Sequence, residues 1–227
     1  MHWRVRQFIE VMSGYKRRSR ILLWNWRSRS FPKGVDGFFQ LHIGCGEIDS
    51  AEFVNIDARA HPHVHLVTRN LFDLQSVPDA VASLVYMCHV LEHVPQAMVH
   101  KVLLEMRRVL KPGGTLRLSV PDFELILAMY ETTQRDPNLI VGPLMGGQDY
   151  EFNFHYSIFA SNNLSAALTK AGFINVRNWD PMDCDFHNFD DWASKSVHVA
   201  GRDFPISLNL EATTLNIESA HVARGAG

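Results

Sequence analysis

Two short polar stretches, each directly after a run of apolar residues, are the first candidates for chemistry in this sequence. Gly44, Cys45 and Gly46 follow the run 39–43, and Asp57 ends the run 53–57. A glycine pair with this spacing forms a tight turn, which many proteins use for steric reasons alone. A carboxylate at the end of a neighbouring strand can accept both hydroxyl hydrogens of a ribose. Together the two features indicate a nucleoside-binding site.

The connection between these two apolar runs is too short for the helix that normally binds a pyrophosphate. It contains nine residues, 44–52, without a third glycine, and it carries Glu47 and Asp49. Dinucleotide folds place the pyrophosphate at a helix N-terminus, and two acids there would repel it. This pattern disfavours NAD and favours a ligand with ribose and adenine but no phosphate. S-adenosylmethionine is such a ligand, and nearby carboxylates would attract its sulfonium.

Histidines form a second set of candidates. His89, Glu92 and His93 fit the H-x-x-E-H pattern, in which two zinc ligands and a base share one helix. Here the motif directly follows an apolar strand, Pro95 restarts the chain, and no obvious further zinc ligand lies on a matching helix. We therefore predict no metal site and interpret His93 as a packed, hydrogen-bonded residue, with a zinc hydrolase as an alternative. His155 is either a structural residue among aromatic side chains or a base, since a histidine pKa lies near neutrality.

Another group of histidines alternates along the chain at His61, His63 and His65. On a strand all three side chains would point the same way. Because no cysteine or acid cluster accompanies them, we interpret them as surface residues of an edge strand rather than metal ligands. His187 is a weaker candidate base of the same kind as His155.

Strands and helices alternate along the chain from residue 38 onward. The predicted strands are 39–43, 53–57, 64–67, 84–88 and 115–120, followed by an antiparallel pair at 174–179 and 206–212. One helix with an apolar face follows the fourth strand, and others begin after caps at Asp122 and Ser161. Residues 136–149 are rich in glycine and proline and predict a loop. The alternation predicts an α/β fold with a doubly wound, mostly parallel sheet, whose ligands bind at the carboxyl ends of the strands.

Charge is distributed unevenly along the chain. Residues 1–30 hold eight Lys and Arg against one acid, whereas the whole chain has a net charge of −2, which does not indicate a nucleic-acid partner. Residues 1–36 therefore predict a basic amphipathic arm, which either packs on the domain or, through residues 1–30, contacts an anionic membrane. We predict a cytoplasmic protein, at most peripheral at the inner face of the membrane. The three cysteines are scattered, no apolar run is long enough to span a membrane, and the sequence shows no signal peptide.

Five stretches together resemble the class I S-adenosylmethionine-dependent methyltransferases. They are LHIGCG, VNID, LVYMCHVLEHV, LKPGGTLRLSVPD and LTKAGFINV, in the order and spacing of that family. More narrowly, they are similar to the small predicted methyltransferase group often encoded with surface-polysaccharide enzymes. The resemblance covers residues 39–212. It implies a seven-stranded Rossmann-like sheet with a shortened first crossover, in a domain at 37–215 followed by a flexible tail.

The resemblance also implies how the cofactor S-adenosylmethionine would be held. Gly44 to Gly46 would wrap its methionine part, and Asp57 would hold the ribose hydroxyls, with Ala58 beside the adenine. Asn70 and Leu71 would edge the adenine.

On the same grounds His89 would lie beside the transferred methyl group, and His155 would belong to a lid over the acceptor. Either histidine would remove the proton, with Asp122 as an acceptor contact, and the acceptor would be a sugar, a glycolipid or a small molecule. His42 stands where many family members have an acid that contacts the cofactor amine. This departure and the clipped crossover leave a further alternative, a subunit that binds S-adenosylmethionine without catalysis.

Overall fold

The computed structural model describes residue 26, residues 29–71 and residues 73–216. The predicted amphipathic helix of the arm and nearly all of the predicted tail lie outside the described residues. Trp26 is described, and it packs edge-to-face against Phe31 and Phe39 at ring distances of 5.0 and 5.5 Å. Its indole nitrogen also donates a hydrogen bond to the carbonyl of Ser76. The described part of the N-terminal segment is therefore packed on the domain at Trp26 and Phe31.

A seven-stranded sheet forms the centre of the fold, and a two-stranded hairpin lies apart from it. The strands in chain order are β1 (Phe39–Ile43), β2 (Val54–Asp57), β3 (Leu66–Val67), β4 (Ala82–Cys88), β5 (Leu110–Pro121), β6 (Ile174–Asn178), β7 (Ser196–Val199), β8 (Arg202–Pro205) and β9 (Ser207–Thr213). The order across the large sheet is β3-β2-β1-β4-β5-β9-β6. Only β9 runs antiparallel to its neighbours. The predicted doubly wound, mostly parallel sheet is confirmed.

The described helices lie between these strands along the chain. They are α1 (Gln96–Val109), α2 (Phe123–Thr132), α3 (Val141–Met145) and α4 (Ser161–Lys170), with 3-10 turns at Leu91–His93 and Pro137–Leu139. Residues 44–53, all of them described, contain turns and no helix, so the first crossover is short as predicted. None of the described helices has both the length and the apolar character that a membrane span requires.

Three local predictions need correction, and one pair of strands was not predicted. Residues 136–149 contain α3 and a 3-10 turn rather than a plain loop. The helix α4 begins at Ser161 instead of being capped by it, and the side chain of Asn163 accepts a hydrogen bond from the amide of Ala160. The strand β3 has two residues, so the three alternating histidines precede it in turns rather than lying on a strand. The hairpin of β7 and β8 was not predicted.

The alternation of side chains along β1 sends neighbouring residues to opposite faces of the sheet. Phe39, Leu41 and Ile43 enter the main hydrophobic core, which α1 covers with its predicted apolar face. His42 points to the other face, where it meets the smaller cluster around Phe53. Because both faces are covered, the strand ends are the place where the sheet opens to a ligand.

Candidate active site

The loops after β1, β2 and β4 enclose a cavity of about 1140 Å³ at the carboxyl ends of the strands. Ligand sites commonly have volumes of about 300–1,000 Å³, so this space is sufficient for a cofactor together with an acceptor. The predicted site residues that line it are His42, Gly44, Cys45, Gly46, Asp57, Ala58, Leu71, His89 and His155. Asn70 is not among the lining residues, although its neighbour Arg69 is. The contact of Asn70 with the adenine stays a prediction.

The carboxylate of Asp57 holds the glycine turn in place. One oxygen accepts a hydrogen bond from the amide of Gly46 at 2.9 Å, and the other accepts one from the amide of Arg59 at 2.8 Å. Gly44 and Gly46 adopt φ angles of 70° and 55°, which favour glycine. A carboxylate oxygen has two lone pairs, so each oxygen of Asp57 keeps one for a ribose hydroxyl.

The surroundings of this turn suit a ligand without phosphate. Glu47 lies beside it, 3.8 Å from the guanidinium of Arg59 and 3.5 Å from the imidazole of His61. His63 contacts the carbonyl of Gly46 at 2.9 Å, so this histidine supports the turn. Burial and the charge of Asp57 raise the pKa of Cys45 to about 12, which keeps its thiol neutral. Together these groups offer carboxylate oxygens and no helix N-terminus for an anion.

The wall next to the turn contains a neutral buried histidine, His42. Its side chain is 1% exposed and stacks on Phe189 at 5.5 Å, with Phe53 and Tyr86 on its other sides. Burial lowers its pKa to about 4, against the opposing effects of Asp191 and Asp57. Its Nδ1 is shielded from solvent and has no hydrogen-bond partner among the described residues.

The opposite side of the cavity is built around Glu92, for which the sequence offered a chemical role only in the alternative zinc-hydrolase motif. Its side chain is 1% exposed. Its Oε1 lies 3.5 Å from His89 Nδ1, 3.8 Å from His93 Nε2 and 4.0 Å from His155 Nε2. Burial raises the pKa of Glu92 to about 8. We call these four residues the Glu92 cluster.

The histidines of the Glu92 cluster are neutral at pH 7. Burial lowers the pKa of His89 to about 3, with help from His155 and His93, and lowers that of His155 to about 4. Burial also lowers the pKa of His93. The motif does not form the single helix that H-x-x-E-H requires, because His89 has a φ of 50° and Leu91–His93 is a 3-10 turn.

Two segments far along the chain cover the cavity. Residues 146–155, which we call the lid segment, are held by cation–π contacts of Arg59 with Tyr150 and of Arg69 with Phe152, at 5.2 and 5.1 Å. The second segment contains Asp190, Asp191 and Trp192, which line the cavity. Asp191 accepts a hydrogen bond from the hydroxyl of Tyr86 at 2.5 Å. Tyr150 also lines the cavity. Tyr150, Asp191 and Trp192 were not predicted, because no local sequence pattern indicates that they belong to a site.

Comparison with known proteins agrees with this geometry. Residues 41–118 match the family model described as a methyltransferase domain. The chain is similar to the solved structure of an S-adenosylmethionine-dependent methyltransferase from Archaeoglobus fulgidus, with 15% identity and a TM-score of 0.51, covering 87% of this chain and 94% of that chain. It is also similar to a possible histamine N-methyltransferase from Thermotoga maritima, with 15% identity and a TM-score of 0.49, covering 92% and 97% of the two chains. No curated protein sequence matches the chain.

The order of the large sheet, with antiparallel β9 between β5 and β6, defines the Rossmann-like fold of class I methyltransferases. The matched residues 41–118 run from β1 into β5 and contain the glycine turn, Asp57 and three members of the Glu92 cluster. Residues 41–118 therefore match a methyltransferase domain, and the large sheet has the fold of S-adenosylmethionine-dependent methyltransferases.

Proposed function

We propose that this chain is an S-adenosylmethionine-dependent methyltransferase and that it acts on a hydroxyl group of a sugar, a glycolipid or a small molecule. The cofactor supplies a methyl group on a positively charged sulfur, and transfer to oxygen leaves the demethylated cofactor and one proton. The observation that carries the proposal is the division of the cavity into two halves. Asp57 and the glycine turn form a nucleoside half, and the Glu92 cluster forms a half with neutral imidazoles.

The assignment of Asp57 to the ribose and of Gly44 to Gly46 to the methionine part follows from the first half. The carboxylate has acceptor positions left, and the turn leaves its backbone open to the cavity. Ala58 and Leu71 line the same end and would contact the adenine. His42 would use its free Nδ1 in place of the acid found in many family members.

The second half would position the acceptor and receive its proton. His89 and His155 can each accept a proton because both are neutral, although pKa values of about 3 and 4 make them weak bases. Most of the rate would then come from positioning the acceptor and excluding water. Asp122 caps α2 by accepting a hydrogen bond from the amide of Glu124 at 2.9 Å, which accounts for its carboxylate without an acceptor contact.

The mouth of the cavity favours a glycan over a flat apolar acceptor. Trp192 and Tyr150 line it and expose 46% and 41% of their surface, and Asp190 and Lys195 lie among the same lining residues. Aromatic faces beside polar groups suit a ring that is apolar on one side and carries hydroxyls at its edge. The basic residues within 1–30 would bring the enzyme to anionic membranes or glycolipids.

The test is to measure cofactor binding by calorimetry and to follow labelled methyl groups into glycans and glycolipids. We expect binding of S-adenosylmethionine and of its demethylated product, and O-methyl ethers in the labelled acceptor. His155→Ala should lower kcat by about 100-fold, whereas His198→Ala should not change it, because that side chain is 68% exposed and His198 is not among the lining residues of the cavity. Label recovered on nitrogen would refute the acceptor class, and cofactor binding without any transfer would favour a non-catalytic subunit.

A further inference from the structure

The Glu92 cluster contains a buried carboxyl group whose oxygens have no hydrogen-bond partner in any other described residue. Neither side-chain oxygen of Glu92 has a partner among the described residues, although both are shielded from solvent. A carboxylate removed from water is normally compensated by donors or by a cation. Glu92 is one of the residues that line the cavity, together with His89, His93 and His155.

The hydrogen bonds of His93 determine which of its nitrogens faces this carboxylate as an acceptor. Its Nδ1 lies 3.0 Å from the carbonyl oxygen of Phe154, and a carbonyl can only accept. Nδ1 therefore carries the hydrogen, and the lone pair of the neutral ring is on Nε2, the atom 3.8 Å from Glu92. A carbonyl in this position is the usual outer partner of a metal-binding histidine.

His89 presents a lone pair to the same carboxylate. The hydroxyl of Ser207 donates its one hydrogen to the carbonyl of Trp192 at 2.5 Å, so it accepts from His89 Nε2 at 2.8 Å. The free nitrogen of His89 is then Nδ1, which lies 3.5 Å from Glu92. On two sides the carboxylate faces nitrogen acceptors, and a third nitrogen, Nε2 of His155, lies 4.0 Å away.

These separations are too long for hydrogen bonds, which span about 2.7–3.2 Å. They agree with two ligands on one ion, because metal–ligand bonds of about 2.1 Å place neighbouring ligand atoms about 3–4 Å apart. One atom each from Glu92, His93 and His155 lie within 4.8 Å of one another. His155 comes from the lid segment, so the ion would join the lid to the turn after β4.

We propose that Glu92, His93 and His155 bind a divalent transition-metal ion, such as Zn²⁺ or Mn²⁺, in the acceptor half of the cavity. Two imidazoles and one carboxylate favour such ions over Mg²⁺ and Ca²⁺, which prefer oxygen ligands. This set differs from the H-x-x-E-H arrangement, since Glu92 is a ligand rather than a base and His155 takes the place of His89.

The consequence for catalysis rests on the proposed function. Three protein ligands leave positions on the ion for an acceptor oxygen, and a hydroxyl in contact with the ion loses its proton more easily. This would compensate for the weakness of the neighbouring imidazoles as bases. With His155 on the ion, His89 would be the imidazole that receives the proton.

The test is direct metal binding to the full chain after treatment with a chelator. Calorimetry with ZnCl₂, MnCl₂ and MgCl₂ should give one site that binds Zn²⁺ or Mn²⁺ and prefers them to Mg²⁺. Glu92→Gln and His155→Ala should each weaken binding by about 100-fold or more. His61→Ala and His198→Ala are controls for the other histidines near acids and should bind as the parent does.

Binding of the demethylated cofactor to the same samples shows which variants are folded, so His155→Ala decides the matter if Glu92→Gln does not fold. Absence of a stoichiometric site, or equal affinity in the parent and His155→Ala, would overturn the proposal and leave a protonated Glu92 without an ion. Loss of binding in His61→Ala would place the site elsewhere. Metal binding without methyl transfer would reject the proposed function alone, and transfer that is unaffected by the chelator would reject the catalytic role of the ion.

Discussion

Replacing Asp57 with alanine tests the nucleoside half of the cavity, where one carboxylate has two separable tasks. In the free protein it accepts hydrogen bonds from the amides of Gly46 and Arg59, at 2.9 and 2.8 Å. In the complex we expect it to accept two more, from the ribose hydroxyls. A loss of cofactor affinity in Asp57→Ala can therefore come from the ribose contacts or from a loosened turn.

The expected magnitude follows from the number of hydrogen bonds. Each bond to a charged group contributes about 1.5–3 kcal/mol, so two ribose bonds at the lower end contribute about 3 kcal/mol. Since about 1.4 kcal/mol changes an equilibrium tenfold, the Kd should rise by about 100-fold. Removing the two backbone bonds should lower the free energy of unfolding of the free protein by a similar amount.

The assay that separates the two tasks compares two ligands. Calorimetry with the demethylated cofactor and with an analogue lacking both ribose hydroxyls gives their affinity ratio, which we expect to be about 100 in the parent and near one in Asp57→Ala. Asp122→Ala is the matched control, because its carboxylate also accepts a backbone amide but lies at the start of α2. It should lose stability and keep the parent's ratio. An Asp57→Ala variant that still discriminates between the ligands by the same ratio would refute the ribose assignment.

Two further predictions concern the same side of the cavity. Gly44→Ala should lower the free energy of unfolding by about 1–3 kcal/mol, because its Cβ would lie 2.3 Å from Val90 Cγ2 at a φ of 70°. Urea denaturation measures this, and Gly37→Ala, at a φ of 77° with nothing within 4 Å, is the control. Equal losses in both variants would mean that backbone strain alone matters. For His42, burial lowers the pKa from 6.5 to about 4, so between these values the unfolded chain binds a proton that the folded chain excludes. Stability is then present above pH 6.5 and falls as the pH is lowered towards 4, by at most about 3 kcal/mol. His42→Phe should flatten this dependence in thermal unfolding at pH 4–7, and an unchanged slope would contradict the assignment.

The parts of the fold that the sequence predicted are those with a periodic apolar pattern. The bounds of β1 agree with the predicted 39–43, because the strand is covered on both faces and turns follow it at once. The antiparallel pairing of β6 with β9 was also predicted. The hairpin of β7 and β8 was missed because its residues are partly exposed and carry few apolar side chains.

The candidate site also has a part that could be predicted from the sequence and a part that could not. Gly44 and Asp57 could be placed together because each follows a strand that the topology brings to one edge of the sheet. The environment of Glu92 could not be predicted, because it depends on His155. That residue belongs to the lid segment, and no periodicity in the sequence places it beside Glu92. Its raised pKa is likewise a product of burial in three dimensions, and no residue type reveals that in advance.

The hydrogen bond between Asp57 and the amide of Gly46 ties the glycine turn to the end of β2 through the protein's own atoms. We therefore expect the turn to lose little conformational entropy when a nucleoside binds. Hydrogen exchange at the amide of Gly46 should accordingly be slow in the free protein and change little on cofactor binding. The conformational entropy lost on binding should then come mainly from the ligand, whose flexible chain must adopt one shape in the site.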